Sequence, residues 1–155
     1  MCSSDLSDDV ENYIPSPIDW VREQVEAYES SGGTEGTTLL DTGLLCILIT
    51  HVGNKTRAVR KTPLMRVKKN NSYVLVGSNG GDKNNPVWVH NLRKNNTIKL
   101  RDREDVFSME VREVLEQKEI DTLWGICIEA FPPYEDYKKK TSRQIPIFLA
   151  EPLDQ

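Results

Sequence analysis

At 155 residues the chain has the length of one domain, enough to bury about two thirds of the surface its unfolded form exposes. Its formal charge of −4 argues against general nucleic-acid affinity, which asks for a basic domain. No apolar run is long enough to cross a bilayer, no signal peptide is expected, and two histidines with three cysteines lacking CxxC spacing predict no metal site and free thiols in a reducing, cytoplasmic setting. Residues 1–15 are acidic, Ser-rich and without periodicity, which predicts a mobile tail ahead of a single domain over 16–155.

Ser16-Pro17-Ile18-Asp19 has the form of a capping box with proline at the first helical position. The helix it opens carries Val21, Val25 and Tyr28 on one stripe, flanked by Trp20, and stops at Gly32-Gly33. Its polar face is mostly acidic, which favours a core-facing helix over one lying on a membrane. Leu44 to Val52 is a continuous apolar run of strand length between Gly43 and Gly53. Val59 to Pro63 reads as irregular, after which Leu64, Arg66 and Lys68 alternate with Met65 and Val67. Asn70-Asn71 turns the chain into a strand over Ser72–Ser78.

Pro86 to Lys94 is expected to be a short helix capped by Asn85. Thr97–Arg101 and Val106–Leu115 are alternating strands joined by a charged turn. Gln117 to Ala130 is helical, with Ile120, Leu123, Trp124, Cys127 and Ile128 on one face. Pro132-Pro133 ends it, a short helix follows to Lys140, and Ile145–Leu149 is the last strand. About six mostly antiparallel strands with helices inserted between them predict an α+β antiparallel barrel.

The stretch from Gly53 to Leu92 carries the functional signal. Lys55, Arg57, Arg60, Lys61, Arg66, Lys68 and Lys69 form a basic segment with no acid among them. A strand follows, opening into Gly77-Ser78-Asn79-Gly80-Gly81 and then a helix. A strand, a glycine turn and a helix N-terminus can leave backbone N–H groups for an anion, here a phosphate- or carboxylate-bearing ligand. A charge run is also the ordinary mark of a solvated face. By the same weighing Trp88 reads first as a core anchor and His90 as a hydrogen-bonded structural residue. Tyr134 and Tyr137, three apart, divide evenly between packing and a polar role.

Four segments, GNKTRAVRKTPL, SNGG, NPVWVHNL and FPPYEDYKKKTSRQIPIFLAEP, occur in an order and spacing that resembles the deazaflavin-dependent nitroreductase family. These are split β-barrel oxidoreductases that use coenzyme F-420, and the resemblance covers about Leu44 to Pro152. It implies a split barrel, like those that bind FMN, holding the deazaflavin in a groove with its phosphate and carboxylate tail against the basic segment. In the first motif Gly53, Lys55, Arg60, Pro63 and Leu64 match, while Asn54, Arg57 and Val59 replace a basic residue, a glycine and a proline. In the second Ser78, Gly80, Gly81, Pro86, Trp88, Asn91 and Leu92 match. Asn84 stands where the family has a lysine, with Lys83 one place earlier. In the third Pro132, Tyr134 and Tyr137 match, and Phe131 stands where a tyrosine is common.

The cofactor contacts the resemblance implies are Lys55, Arg57, Arg60, Pro63, Ser78, Asn79, Gly80, Gly81, Lys83, Asn84 and Trp88. Ser78, Tyr134 and Tyr137 are the candidates to give a proton or hydrogen bond to the acceptor. The implied activity is hydride transfer from reduced F-420 to a quinone, nitroaromatic or other conjugated acceptor. The alternatives are the same barrel with FMN or haem, or a non-catalytic barrel that binds anions or nucleic acid. The expected partner is a small aromatic or quinone acceptor and not nucleic acid. A monomer or homodimer is expected, and a peripheral membrane contact stays open.

Overall fold

The computed structural model describes residues 13–53 and 58–153. Its elements in chain order are α1 (Asp19–Ser30), β1 (Cys46–Val52), β2 (Val59–Met65), β3 (Lys68–Lys69), β4 (Ser72–Val76), α2 (Val87–Lys94), β5 (Thr97–Asp102), β6 (Asp105–Glu113), α3 (Gln117–Ala130), α4 (Pro133–Lys140) and β7 (Ile147–Pro152). Every strand pair is antiparallel, and the seven strands form one sheet in the order β2-β1-β5-β6-β7-β4-β3. This curled antiparallel sheet with inserted helices is the α+β split barrel that the sequence suggested.

Period-two alternation decides what each face of the sheet buries. Ile47 and Ile49 of β1, Tyr73 and Leu75 of β4, and Phe148 and Ala150 of β7 point into the barrel interior, where α2 adds Trp88, Val89 and Leu92. The alternate residues Val74, Val76, Ile147 and Leu149 face outward and are covered by Leu123, Trp124 and Cys127 of α3 and Tyr134 of α4. Cys46 and Leu48 are covered by Val25 and Tyr28 of α1. Burial on both faces is why β1 reads as an unbroken apolar run. Burial also pushes the Cys46 and Cys127 thiols up to about 12, and both are free, as expected; Cys2 lies outside the described residues.

Several sequence expectations are corrected. Val59 to Pro63 belongs to a regular strand, paired with β1 from Val52↔Val59 to Cys46↔Met65. It escapes the apolar pattern because β2 is the sheet edge. There proline is tolerated, and the inward positions are Arg60 and Thr62 ahead of Leu64. The expected alternation through Lys68 breaks after Met65, so β3 is a separate two-residue strand. Helix α1 begins at Asp19 with Ile18 in the cap. The Ser16 hydroxyl accepts from Ile18 N at 3.1 Å instead of closing a capping box, and Pro17 precedes the helix. Asn85 does not cap α2; Pro86 takes that place. Of the expected tail, 1–12 lie outside the described residues, while Tyr13 bridges to Val59 and Ile14 N donates to Val59 O.

Two buried polar clusters fasten the barrel. Asp102, at the end of β5, accepts from the Tyr73 hydroxyl at 2.6 Å and from Arg66 Nε at 2.9 and 3.0 Å, with Arg103 Nε at 3.2 Å. Burial pulls this carboxyl up, but the bonds from Tyr73 and Arg66 outweigh it and hold the group below its ordinary value. His51 lies between Thr62 Oγ1, 3.0 Å from Nε2, and the Asn91 amide, 3.1 Å from Nδ1. With the Asn91 amide as donor, Nδ1 accepts and the neutral ring donates from Nε2 to Thr62. Burial, with the Arg60 charge adding to it, lowers the His51 pKa from 6.5 to about 4.

The His51 shift predicts a pH dependence. Between pH 6.5 and 4 the unfolded chain binds a proton at His51 that the folded chain refuses, so stability falls with pH through that window, by about 3 kcal/mol in all. Urea unfolding at pH 7.5, 5.5 and 4.5 should show this loss, and His51→Gln should flatten it; an equal slope in that variant would assign the loss to other groups. Asp102→Asn should cost about 3 kcal/mol at pH 7, because it strands the Arg66 charge in a half-buried site. A thermal midpoint within a degree or so of wild type would remove Asp102 as a fastening point.

Candidate cofactor and acceptor cleft

The curl of the sheet leaves a cleft of about 370 Å³ where the edge strand β2 faces the end of β4. One wall is Thr62, Pro63, Leu64 and Met65 of β2. The opposite wall is Val76 and the loop residues Ser78, Asn79 and Gly80, continued by Pro86 and Trp88 at the start of α2. Phe131, Tyr134 and Tyr137 close a third side from α4 and the turn before it. Ile18, which caps α1, and Trp20 and Val21 within it form the fourth, with Leu39, Leu40 and Thr42. The lining is largely apolar, with a few hydroxyls and amides set into it, as is usual for small-molecule sites.

Each wall is positioned by packing that the sequence specifies. Asn79, Gly80 and Gly81 have φ of 49°, 64° and 82° in succession, a left-handed run for which Asn-Gly-Gly is suited. A Cβ on Gly81 would meet Lys140 Cδ at 3.0 Å and Tyr137 O at 3.2 Å, so the loop sits directly against α4; a Cβ on Gly80 would meet nothing within 4 Å. Trp88 is 4% exposed and packs on Phe148 with ring centroids 5.7 Å apart, so it is at once core anchor and cleft wall. Tyr134 stands edge-on to Phe131 at 4.9 Å and to Tyr137 at 6.1 Å. Burial, with the neighbouring Cys127 and Tyr137 adding to it, pushes the Tyr134 phenol well above its ordinary value, which widens the margin by which any tyrosine is protonated at neutral pH. Helix α1 is held by Tyr28, whose hydroxyl donates to Cys46 O at 3.0 Å and accepts from Arg103 N at 2.7 Å.

Of the residues anticipated from the sequence, Pro63, Ser78, Asn79, Gly80, Trp88, Tyr134 and Tyr137 meet in this one cleft. Gly81 is buried beneath the loop, and Lys83 and Asn84 lie exposed further along it. Arg60 shares a face of β2 with Thr62 and Leu64, opposite His51, and its Nη1 donates to Ile14 O at 3.3 Å. Lys55 and Arg57 lie outside the described residues. Two of the loop N–H groups are committed to the turn itself, Gly81 to Ser78 O and Asp82 to Asn79 O.

The basic segment does not present one face. Lys61 pairs with Glu29 at 2.7 Å and Arg66 with Asp102, while Lys68 and Lys69 are exposed on β3. His90 is exposed rather than structural. Sequence reasoning missed Thr62, whose signal was the Arg60-Thr62-Leu64 alternation. It also missed Arg143, for which spacing gave no cue.

The walls suit a flat, conjugated ring, and Arg60 lies two residues before Thr62 on the same face of β2. Comparison with known proteins shows the family. The family model described as F420H(2)-dependent quinone reductase matches residues 20–152. An F420H(2)-dependent quinone reductase of Mycobacterium tuberculosis is 31% identical over 105 residues, 66% of this chain and 70% of that one. A solved F420-H2 dependent reductase (FDR-A) is 39% identical, with a TM-score of 0.65 over 74% of this chain and 98% of that one. A solved domain-swapped dimer is 42% identical, with a TM-score of 0.67 over 88% and 100%. The haem storage protein HutZ from Vibrio cholerae, 12% identical with a TM-score of 0.54 over 84% of this chain and 91% of that one, shares the fold alone. The chain belongs to the F420H(2)-dependent quinone reductase family.

Proposed function

We propose that this chain reduces a quinone or similar conjugated acceptor with reduced coenzyme F-420, and that both meet in the cleft between β2 and the Ser78–Gly80 loop. The observation that carries this reading is the convergence of Pro63, Trp88, Ser78, Tyr134 and Tyr137 on one apolar cleft in a chain of this family. The reduced deazaflavin supplies a hydride, so no nucleophile or metal is asked of the protein. Pro63, Leu64 and Trp88 hold the ring by apolar contact and exclude water. Arg60 takes an anionic group of the tail, with Lys55 and Arg57 as further candidates on the neighbouring 54–57 segment, and Lys83 and Asn84 as candidates beyond the loop. Tyr134, Tyr137 and Ser78, which line the same cleft, donate to the acceptor oxygen that gains charge.

Ile18, Trp20 and Leu40 line the mouth and are 54%, 41% and 59% exposed, an apolar lip that suits an acceptor carrying a hydrocarbon tail and a peripheral contact with a membrane. The domain-swapped relative supports a homodimer.

Incubation of the purified protein with F-420, FMN and haem should leave F-420 bound; retention of FMN or haem instead would replace this reading. Arg60→Ala should weaken F-420 binding by about 1.5–3 kcal/mol, roughly ten- to a hundredfold, and wild-type binding should itself weaken with salt. An unchanged dissociation constant would remove Arg60 from the site. Tyr134→Phe should lower turnover of menadione while leaving F-420 affinity nearly unchanged. Loss of a donor to developing charge costs about 2.7–4 kcal/mol at the strong end, and less where Tyr137 or Ser78 compensates. Wild-type turnover in both Tyr134→Phe and Tyr137→Phe would make the phenols packing residues.

A further inference from the structure

We infer that Arg143 is a positioning residue for the cofactor loop, although it lies outside the cleft. The inference rests on the cofactor reading above. Arg143 sits between α4 and β7, and all three of its guanidinium nitrogens donate to the loop that runs from β4 to α2. Nη2 reaches Ser78 O at 2.8 Å, Nε reaches Asp82 O at 2.9 Å, and Nη1 reaches Asn85 Oδ1 at 2.7 Å. No other described side chain holds this loop at three points. A planar fork with fixed donors suits such a task, and a lysine cannot imitate it. Among the described residues Arg143 forms no ion pair; its hydrogen bonds go to the loop's carbonyls and the Asn85 amide, and the Asp82 carboxylate of the same loop acts on its charge through space.

The bonds also orient the loop's donors. No peptide bond of the described chain is cis, and in a trans unit the C=O and the following N–H point in opposite directions. Drawing Ser78 O and Asp82 O toward the guanidinium therefore turns the N–H groups of Asn79 and Lys83 to the other side of the loop. Ser78, Asn79 and Gly80 are the part of the loop that lines the cleft. Internal bonds keep the shape between the anchors: Asn79 Nδ2 to Asn84 O at 3.0 Å and Asn84 N to Asp82 Oδ1 at 3.0 Å. Lys140 Nζ reaches Gly80 O at 3.4 Å, and Gly81 packs on Tyr137 O. The Arg143 brace, just past the end of α4, thus acts beside the Lys140 and Gly81 contacts that join the loop to the helix carrying Tyr134 and Tyr137.

The test is F-420 titration of wild type, Arg143→Gln, Arg143→Lys and Asn85→Ala, with hydrogen exchange of the 78–85 amides measured without cofactor. Arg143→Gln should raise the F-420 dissociation constant about tenfold or more. Arg143→Lys should recover only part of the loss, and Asn85→Ala, which keeps the guanidinium and its two carbonyl bonds, should lose less in the same direction. Exchange of the loop amides should quicken in the same rank order. A lowered thermal midpoint with unchanged affinity and unchanged loop exchange would make Arg143 merely structural and overturn the inference. Where Arg143→Gln does not fold, wild-type affinity and exchange in both Arg143→Lys and Asn85→Ala overturn it equally. Failure of the wild type to bind F-420 would sink the cofactor reading, while the exchange rates would still decide whether Arg143 braces the loop.

Discussion

The buried Asp102 carboxylate is the junction on which the curl of the sheet depends. It ties the end of β5 to Arg66, in the link between β2 and β3, and to Tyr73 on β4. Those strands lie toward opposite ends of the sheet order, so one acidic side chain draws two distant edges around a common interior. Burying a carboxylate is unfavourable unless its lone pairs are met, and here Tyr73 and two arginines meet them. The Arg66 N–H adds a backbone bond to Leu45 O at 3.1 Å. An edge drawn close but not zipped into a ladder leaves a seam, and the cleft is that seam.

This explains why the site can be apolar and still well defined. Its walls are elements already fixed by other tasks. Trp88 is held in the barrel core, Thr62 by His51, and α1 by Tyr28 and by the Lys61–Glu29 pair. The basic segment shows the same economy. Charges that look equivalent in sequence are spent on different duties, Lys61 on the N-terminal helix and Arg66 on the Asp102 junction. Only Arg60 among the described ones shares a strand face with Thr62 and Leu64 of the cleft.

Most of the architecture was legible because alternation and turn chemistry are local signals. The Asn70 turn, with φ of 57°, the strand of β4, the Asn-Gly-Gly loop and the helices α3 and α4 all follow from residues close in sequence. The family resemblance implied Pro63, Ser78, Trp88, Tyr134 and Tyr137 as site residues, and all five line the one cleft. Edge strand β2 was not legible, since an edge that lines a site lacks the apolar pattern of a packed strand. Asn85 looked like a helix cap because its local sequence permits one, whereas Arg143, 58 residues away, takes its amide oxygen. Long-range pairs of this kind have no periodicity, and the Thr62–His51–Asn91 chain was hidden for the same reason.

Under the proposed reading the two phenols of α4 divide the work by environment. Tyr134 is 6% exposed and touches Trp124, Phe131 and Tyr137, so its orientation is set by ring packing on three sides. Its phenol, raised further by burial, carries its proton at neutral pH as an ordinary tyrosine does, and an O–H held in a fixed geometry can donate to a developing oxyanion. Tyr137 is more open, and its carbonyl lies against Gly81, which places it next to the cofactor loop. Phe131 has no hydroxyl, yet it stands edge-on to Tyr134 and fills that corner of the cleft. Its contribution is to hold the Tyr134 ring, and the polar chemistry there falls to the two tyrosines and to Ser78 of the loop that packs on α4.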